Sequence, residues 1–253
     1  MNNSTSQCGA SDGLEHLQRP YGLPLTIAID SSTRDASIAL ASGDQIIHYI
    51  PLDRNSRTAA TISVALSELL NLARGIEQPI GSIAVTDGPG SFTGLRIGVT
   101  TAKTLAYALN CKIIAVDSLA CMAMSLFASN QDAINATVAL NAYRGQLFTA
   151  TWTRDQWDHA CDVTGDFTTQ SRVIEESEWI ESLKSADVNH LFGAESTVAQ
   201  KFKIECIITS EPNAKDVAYL ASIIARRGVF VSPMHLLPRY LRESAAEEKL
   251  RLT

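Results

Sequence analysis

The chain has 253 residues, 45% hydrophobic and 19% charged, and its 21 Lys and Arg against 27 Asp and Glu give a net charge of −6. This composition supports an ample core in one large domain or two small ones of about 100 to 150 residues. It excludes a protein that grips nucleic acid unaided, which needs a dense basic face, though not an acidic subunit of a larger complex.

Residues 1–22 are polar, lack the apolar core of a secretory signal, and are expected to be a disordered extension. No apolar run approaches the ~18 residues of a membrane span, so the expected compartment is the cytoplasm. Leu25 to Asp30 reads as a buried strand. Ala36 to Ala41 and Gln45 to Ile50 read as two more, joined by the hairpin turn Ser42-Gly43-Asp44. Three strands in such tight succession are expected to be antiparallel neighbours.

The pattern then alternates. A helix is predicted over Thr58 to Ala73, a strand over Ile83 to Thr86 and a helix over Leu95 to Leu109. A strand over Lys112 to Val116 and a helix over Leu119 to Ala128 follow. Alternation of this kind adds parallel strands to the same sheet, with helices covering it. A β-meander followed by βαβα is the order of a ribonuclease-H-like half-domain. Strands restart at Ala136 to Leu140 and Gln146 to Trp152. A weakly periodic region follows, then a helix at Asp216 to Arg227 and an extended Pro238 to Arg242. The polar stretch Ser129 to Asp132 marks the expected boundary between an N-terminal unit, 23–130, and a C-terminal unit, 131–253, read as a poorer copy of the first.

The densest signal is Asp87-Gly88-Pro89-Gly90-Ser91-Phe92-Thr93-Gly94-Leu95-Arg96-Ile97-Gly98, a glycine-rich turn between strand and helix. Such turns gather backbone N–H groups and suit an anion. This one lacks the Gly-Lys-Ser/Thr ending of a phosphate-binding P-loop, and Thr93 stands where the dinucleotide fingerprint needs glycine. Asp30-Ser31-Ser32, after the first strand, keeps a carboxylate but no turn glycine, so Asp30 can equally cap its own turn. On local chemistry a tight turn whose glycines permit positive φ or close packing is favoured over a phosphate-binding loop, and Asp30, Ser31, Ser32, Asp87, Gly88, Gly90 and Ser91 are the candidates for a vestigial nucleotide loop. After it, Gly94, Gly98, Ala102 and Ala106 recur every four residues as a small-residue ridge, flanked by Leu95, Val99 and Leu105. In the preceding helix Ala59, Ile62, Leu66 and Leu69 line one face, Ala60, Val64 and Ser67 the other, and Glu68 is the sole charge before Ala73. Two consecutive helices without a charged solvent face point to a helix–helix interface with another chain, with burial inside this chain against its C-terminal half as the alternative; these ridge and face residues are the interface candidates.

Five cysteines, at 8, 111, 121, 161 and 206, make an odd set without CxxC spacing, and five histidines show no paired ligand spacing. No metal site, disulfide framework or serine-nucleophile elbow is indicated, and no catalytic residue is nominated.

Together these residues resemble the TsaB family, formerly YeaZ, a paralogue of the threonylcarbamoyl transferase TsaD. The likeness rests on Ala28-Ile29-Asp30-Ser31-Ser32 and above all on Gly88 to Gly98. Asp117-Ser118-Leu119, Ala142-Tyr143-Arg144-Gly145-Gln146 and Pro238-Arg239-Tyr240-Leu241-Arg242 add to it. The resemblance implies an actin-like (ASKHA) α/β fold of two ribonuclease-H-like subdomains, the second degenerate. It implies a non-catalytic scaffolding subunit that binds and activates a TsaD-type chain in forming N6-threonylcarbamoyladenosine beside the anticodon of tRNA. A TsaE-type ATPase subunit is a further implied partner, and pairing of the chain with itself is expected in isolation. This chain is expected to need no cofactor, with ATP and a divalent metal on partner subunits and tRNA met only through the complex. One departure is Ser56-Arg57-Thr58, where many relatives have His-Ser-Glu or similar. An independent actin-like ATPase or small-molecule kinase is the rival reading, and a peptidase ranks last.

Overall fold

In the computed structural model, which describes residues 23–55, 58–168, 171–184 and 187–242, the meander forms as the short gaps require. Its strands are β1 (Leu25–Asp30), β2 (Ser37–Ser42) and β3 (Gln45–Pro51), each antiparallel to the next. The predicted extension, 1–22, and the Ser56-Arg57 departure lie outside the described residues. Then come α1 (Thr58–Ile76), β4 (Ile80–Gly88), α2 (Phe92–Leu109), β5 (Lys112–Asp117) and α3 (Ser118–Ser129). β4 pairs parallel to β1 and β5 parallel to β4, so the sheet order is β3-β2-β1-β4-β5.

Side-chain size sorts the two faces of this sheet. Leu25, Ile27, Ile29, Ile38, Leu40, Ile83 and Val85 pack against Ile62, Leu66 and Leu69 of α1 and Val99 and Ala102 of α2. The other face is mostly alanine: Ala28, Ala39, Ala41 and Ala84. Small side chains there let a helix settle close to the sheet. That helix is α7 (Ala214–Arg226), which arrives from the far end of the chain to contact β1, β2 and β5.

The second half contains β6 (Asn135–Tyr143), β7 (Gln146–Thr153) and α4 (Arg154–His159), which runs into a π-helical turn at Ala160–Thr164. After it come β8 (Arg172–Glu175), α5 (Glu176–Lys184), β9 (His190–Ala194), α6 (Ser196–Phe202) and β10 (Ile207–Thr209). Its sheet runs β8-β7-β6-β9-β10, with β6–β7 and β7–β8 antiparallel and β6–β9 and β9–β10 parallel. Each half is thus an antiparallel meander with two parallel strands added on the side of its first strand.

The halves share one core. α3 lies between the sheets, with Leu119, Met122, Leu126 and Phe127 buried among residues of both. A Cβ on Gly193 of β9 would stand 2.8 Å from Leu126, so glycine lets that strand reach α3. The sequence predicts the last helix, observed as α7, but assigns no element between β7 and α7, because the strands there are short, three residues for β10 and four for β8. Such lengths carry too few positions to display a period of 2 or 3.6.

Candidate functional site

The glycines of the loop answer to the turn after β1. A Cβ on Gly90 would collide with the carbonyl oxygen of Ser32, one on Gly94 with that of Ser31, and one on Gly98 with the Ser31 hydroxyl. Ser91 N–H donates to Ser32 O (2.7 Å) and the Ser31 hydroxyl donates to Gly94 O (2.8 Å). The Ser91 hydroxyl caps α2 by accepting from Gly94 N–H. Asp30 caps its own turn: Oδ1 accepts from Ser32 N–H (3.2 Å), Ser32 Oγ (2.7 Å) and Thr86 Oγ1 (2.8 Å). Burial nevertheless raises its pKa, and its Oδ2 has no hydrogen-bond partner among the described residues. The polar groups that could cradle a phosphate here bind one another.

The C-terminal segment closes over this loop. Arg239 N–H donates to Asp87 O (2.7 Å), while Arg239 Nη2 donates to Gly88 O (2.6 Å) and to Asp117 Oδ2 (2.5 Å). Gly88 has φ of +133°, and a Cβ there would stand 2.6 Å from Arg239 O, so only glycine admits the strap. Tyr240 stacks on Phe92 at 4.5 Å and its hydroxyl accepts from Arg96 Nε (3.1 Å). Arg242 Nη1 donates to Ala142 O (2.8 Å) and Tyr143 O (3.3 Å) of the β6–β7 hairpin. Residues 239–242 therefore bind both halves of the molecule. Burial raises Asp87 to about 7, against the lowering effect of Arg239, with Asp117 adding to the rise. Burial raises Asp117 too and outweighs the guanidinium, whereas at Arg239 the two carboxylates outweigh burial and hold the charge.

Between the halves lies a cavity of about 190 Å³ bordered by Ser32, Arg34, Asp35, Asn141, Glu195 and Glu211. It is smaller than the ~300–1,000 Å³ usual for small-molecule sites. Glu211 Oε1 accepts from Ser196 N–H (2.6 Å) at the start of α6, where an anionic ligand would otherwise be favoured. Arg54, on the same wall, is taken by Asp35 at 2.5 Å. The rival reading, an independent actin-like ATPase or kinase, needs a Mg-nucleotide here. The residues do not fit one: three carboxylates face two guanidiniums, no lysine borders the cavity, and the glycine loop is filled by Ser31 and Ser32. Among the described residues no three His, Cys, Asp or Glu side chains gather to hold a metal ion.

The candidate interface residues divide by exposure. Ile62, Leu66, Leu69, Gly94, Leu95, Gly98, Val99, Ala102 and Ala106 are buried against this chain's own sheet and turn, Leu105 is half-buried, and Ala59 is exposed. The small-residue ridge thus seats α2 on Ser31 and Val85, an intrachain contact. What α1 and α2 show to solvent is their opposite side. On α1 it includes Ala59, Ala60, Ser63, Val64, Ser67 and Glu68, the last paired with His48; on α2 it includes Thr93, Arg96, Thr100, Thr104 and Tyr107. Val64 is 73% exposed and Tyr107 87%.

The sequence pattern of the family described as "TsaD: tRNA N6-adenosine threonylcarbamoyltransferase" matches residues 50–249. Among curated relatives, the tRNA threonylcarbamoyladenosine biosynthesis protein TsaB of Bacillus subtilis is 31% identical, the match spanning 88% of this chain and 96% of the relative. The chain belongs to the TsaB family. The Escherichia coli TsaB is 26% identical over 88% of this chain and 97% of its own length. The fold is shared with a solved Pseudomonas aeruginosa protein described by its similarity to the peptidase YeaZ (TM-score 0.65, 24% identity, 87% of this chain and 100% of that one).

In this TsaB-family chain the sequence reading passed over Tyr107 and Glu211. Tyr107 was accessible from spacing alone, since it follows Thr100 and Thr104 on the side of α2 opposite Ala102 and Ala106. Glu211 was not, because it lies in the region of short elements and meets Ser196 only through the tertiary fold.

Proposed function

We propose that this chain is a non-catalytic subunit that docks on and activates a TsaD-type transferase forming N6-threonylcarbamoyladenosine beside the anticodon of tRNA. The observation that carries the reading is a contrast between two places. The loops that would hold a nucleotide are closed on one another and on Arg239, while α1 and α2 offer an exposed face low in charge. We read each sheet with its helices as a ribonuclease-H-like subdomain of an actin-like fold, divided near residue 130, from the repeated strand order. ATP and a divalent metal belong on the partner subunits, a TsaE-type ATPase among them, and tRNA is met through the complex. In isolation the same face pairs two copies of the chain. No helix among the described residues is long and apolar enough to cross a membrane, and we place the protein in the cytoplasm.

The rival, an independent actin-like ATPase or kinase, would need Mg²⁺ and phosphate ligands that the cleft does not supply. A reconstituted reaction tests the choice. This chain alone forms no modified adenosine, and adding it to a TsaD-type subunit with its other partners raises the rate. Micromolar affinity of the isolated chain for Mg-ATP by calorimetry, or modification without a transferase subunit, would overturn the reading.

A further inference from the structure

At the opposite end of the first sheet from the glycine loop, a cavity of about 420 Å³ opens beneath the N-terminal ends of β1, β4 and β5. Its walls are apolar: Leu23 and Pro24 ahead of β1, and Ala225 and Phe230 at the end of α7. Leu23 stays 55% exposed, and Val229, beside Phe230, 49%. Pro24 is set by Gly81, where a Cβ would stand 2.5 Å from the proline ring, so the wall is built into the fold. The volume lies within the ~300–1,000 Å³ range of small-molecule sites.

The rim carries the second observation. Lys112, with its ammonium 4.1 Å from the Phe230 ring centroid, and Arg226 both border the cavity. Arg226 donates to Ser222 O (3.2 Å) and Ser222 Oγ (3.5 Å) on its own helix. Neither cation has a carboxylate partner among the described residues, although Asp44 borders the same cavity. Thr26 and Ser82 add a hydroxyl pair, 2.8 Å apart, to the lining. An apolar chamber rimmed by two cations without carboxylate partners and two hydroxyls matches an aliphatic chain that ends in a carboxylate. The tail would displace water from the apolar walls, and the head would take charge-assisted hydrogen bonds from Lys112 and Arg226.

We propose that this cavity binds a medium-chain aliphatic carboxylate, head toward Lys112 and Arg226 and tail against Leu23, Pro24, Ala225 and Phe230. The site is separate from the α1–α2 face and does not depend on the proposed function. Titration calorimetry of decanoate into the full chain, with decanol as the uncharged comparator, tests it. The full chain binds decanoate at least tenfold more tightly than decanol. Lys112→Gln and Arg226→Gln each weaken decanoate about tenfold, as loss of one charge-assisted bond implies, and leave decanol unchanged. Ala225→Trp fills the chamber and removes binding of both, with the circular dichroism spectrum retained. Equal affinity for decanoate and decanol, no decanoate binding, or affinity indifferent to Lys112→Gln and Arg226→Gln overturns the proposal.

Discussion

Arg239→Ala is the sharpest probe of how the two halves are held. The guanidinium reaches Asp117 Oδ2 at 2.5 Å and Gly88 O at 2.6 Å, and the Asp117 side chain is only 3% exposed. Removing one partner of a buried pair leaves an uncompensated charge and costs about 3–5 kcal/mol, a large part of the ~5–15 kcal/mol that holds a typical domain together. The loss is pH-dependent. Burial already raises the Asp117 pKa, and Arg239 is what opposes the rise; without Arg239 it climbs further. A carboxyl with a raised folded pKa contributes stability that is full below its unfolded pKa and lost as pH rises through the folded value. The variant therefore suffers most at pH 8 and recovers part of the deficit at pH 5.5. Urea unfolding followed by circular dichroism at both pH values, with unchanged slope, measures it. A loss below about 1 kcal/mol at pH 8, or the same loss at both pH values, refutes the buried-pair argument.

Gly94→Ala places a methyl against the Ser31 carbonyl oxygen and is expected to cost about 3 kcal/mol in urea unfolding, at the upper end for overpacking; a near-neutral result would mean that the turn does not abut α2. Wild-type stability should fall as pH rises from 5.5 to 8, because burial raises Asp216 to about 6 and Asp87 to about 7, and both stabilise in the protonated form. Asp87→Asn should flatten the part of that slope near pH 7, and a melting temperature that rises with pH contradicts the assignment.

Much of the first half was legible because its elements are long and regular. Leu25 to Asp30 has the predicted bounds, and α2 starts at Phe92, three residues before the predicted Leu95, because Ser91 caps it. The glycine spacing was visible as well, but its meaning depended on what faced it. Gly94 and Gly98 meet Ser31, 60 or more positions away in sequence, and no local pattern encodes that approach. The scarcity of charge on α1 and α2 was likewise readable, yet which side was buried followed from the size of the β1, β2 and β4 side chains turned toward them. The Arg239 clasp joins three segments remote in sequence. Only its family likeness, and no local chemistry, drew attention to it.

We propose that α1 and α2 dock this chain on a TsaD-type transferase subunit through the face that carries Val64 and Tyr107. The direct measurement is the affinity of the full chain for a TsaD-type subunit, by titration calorimetry, for wild type, Val64→Glu and Tyr107→Glu. Both side chains are exposed, so the variants should keep the wild-type unfolding midpoint, within about 0.5 kcal/mol. Each should weaken the complex by at least 2 kcal/mol, about thirtyfold, as expected for a charge placed at an interface centre. Wild-type affinity in both variants would rule out docking through this face.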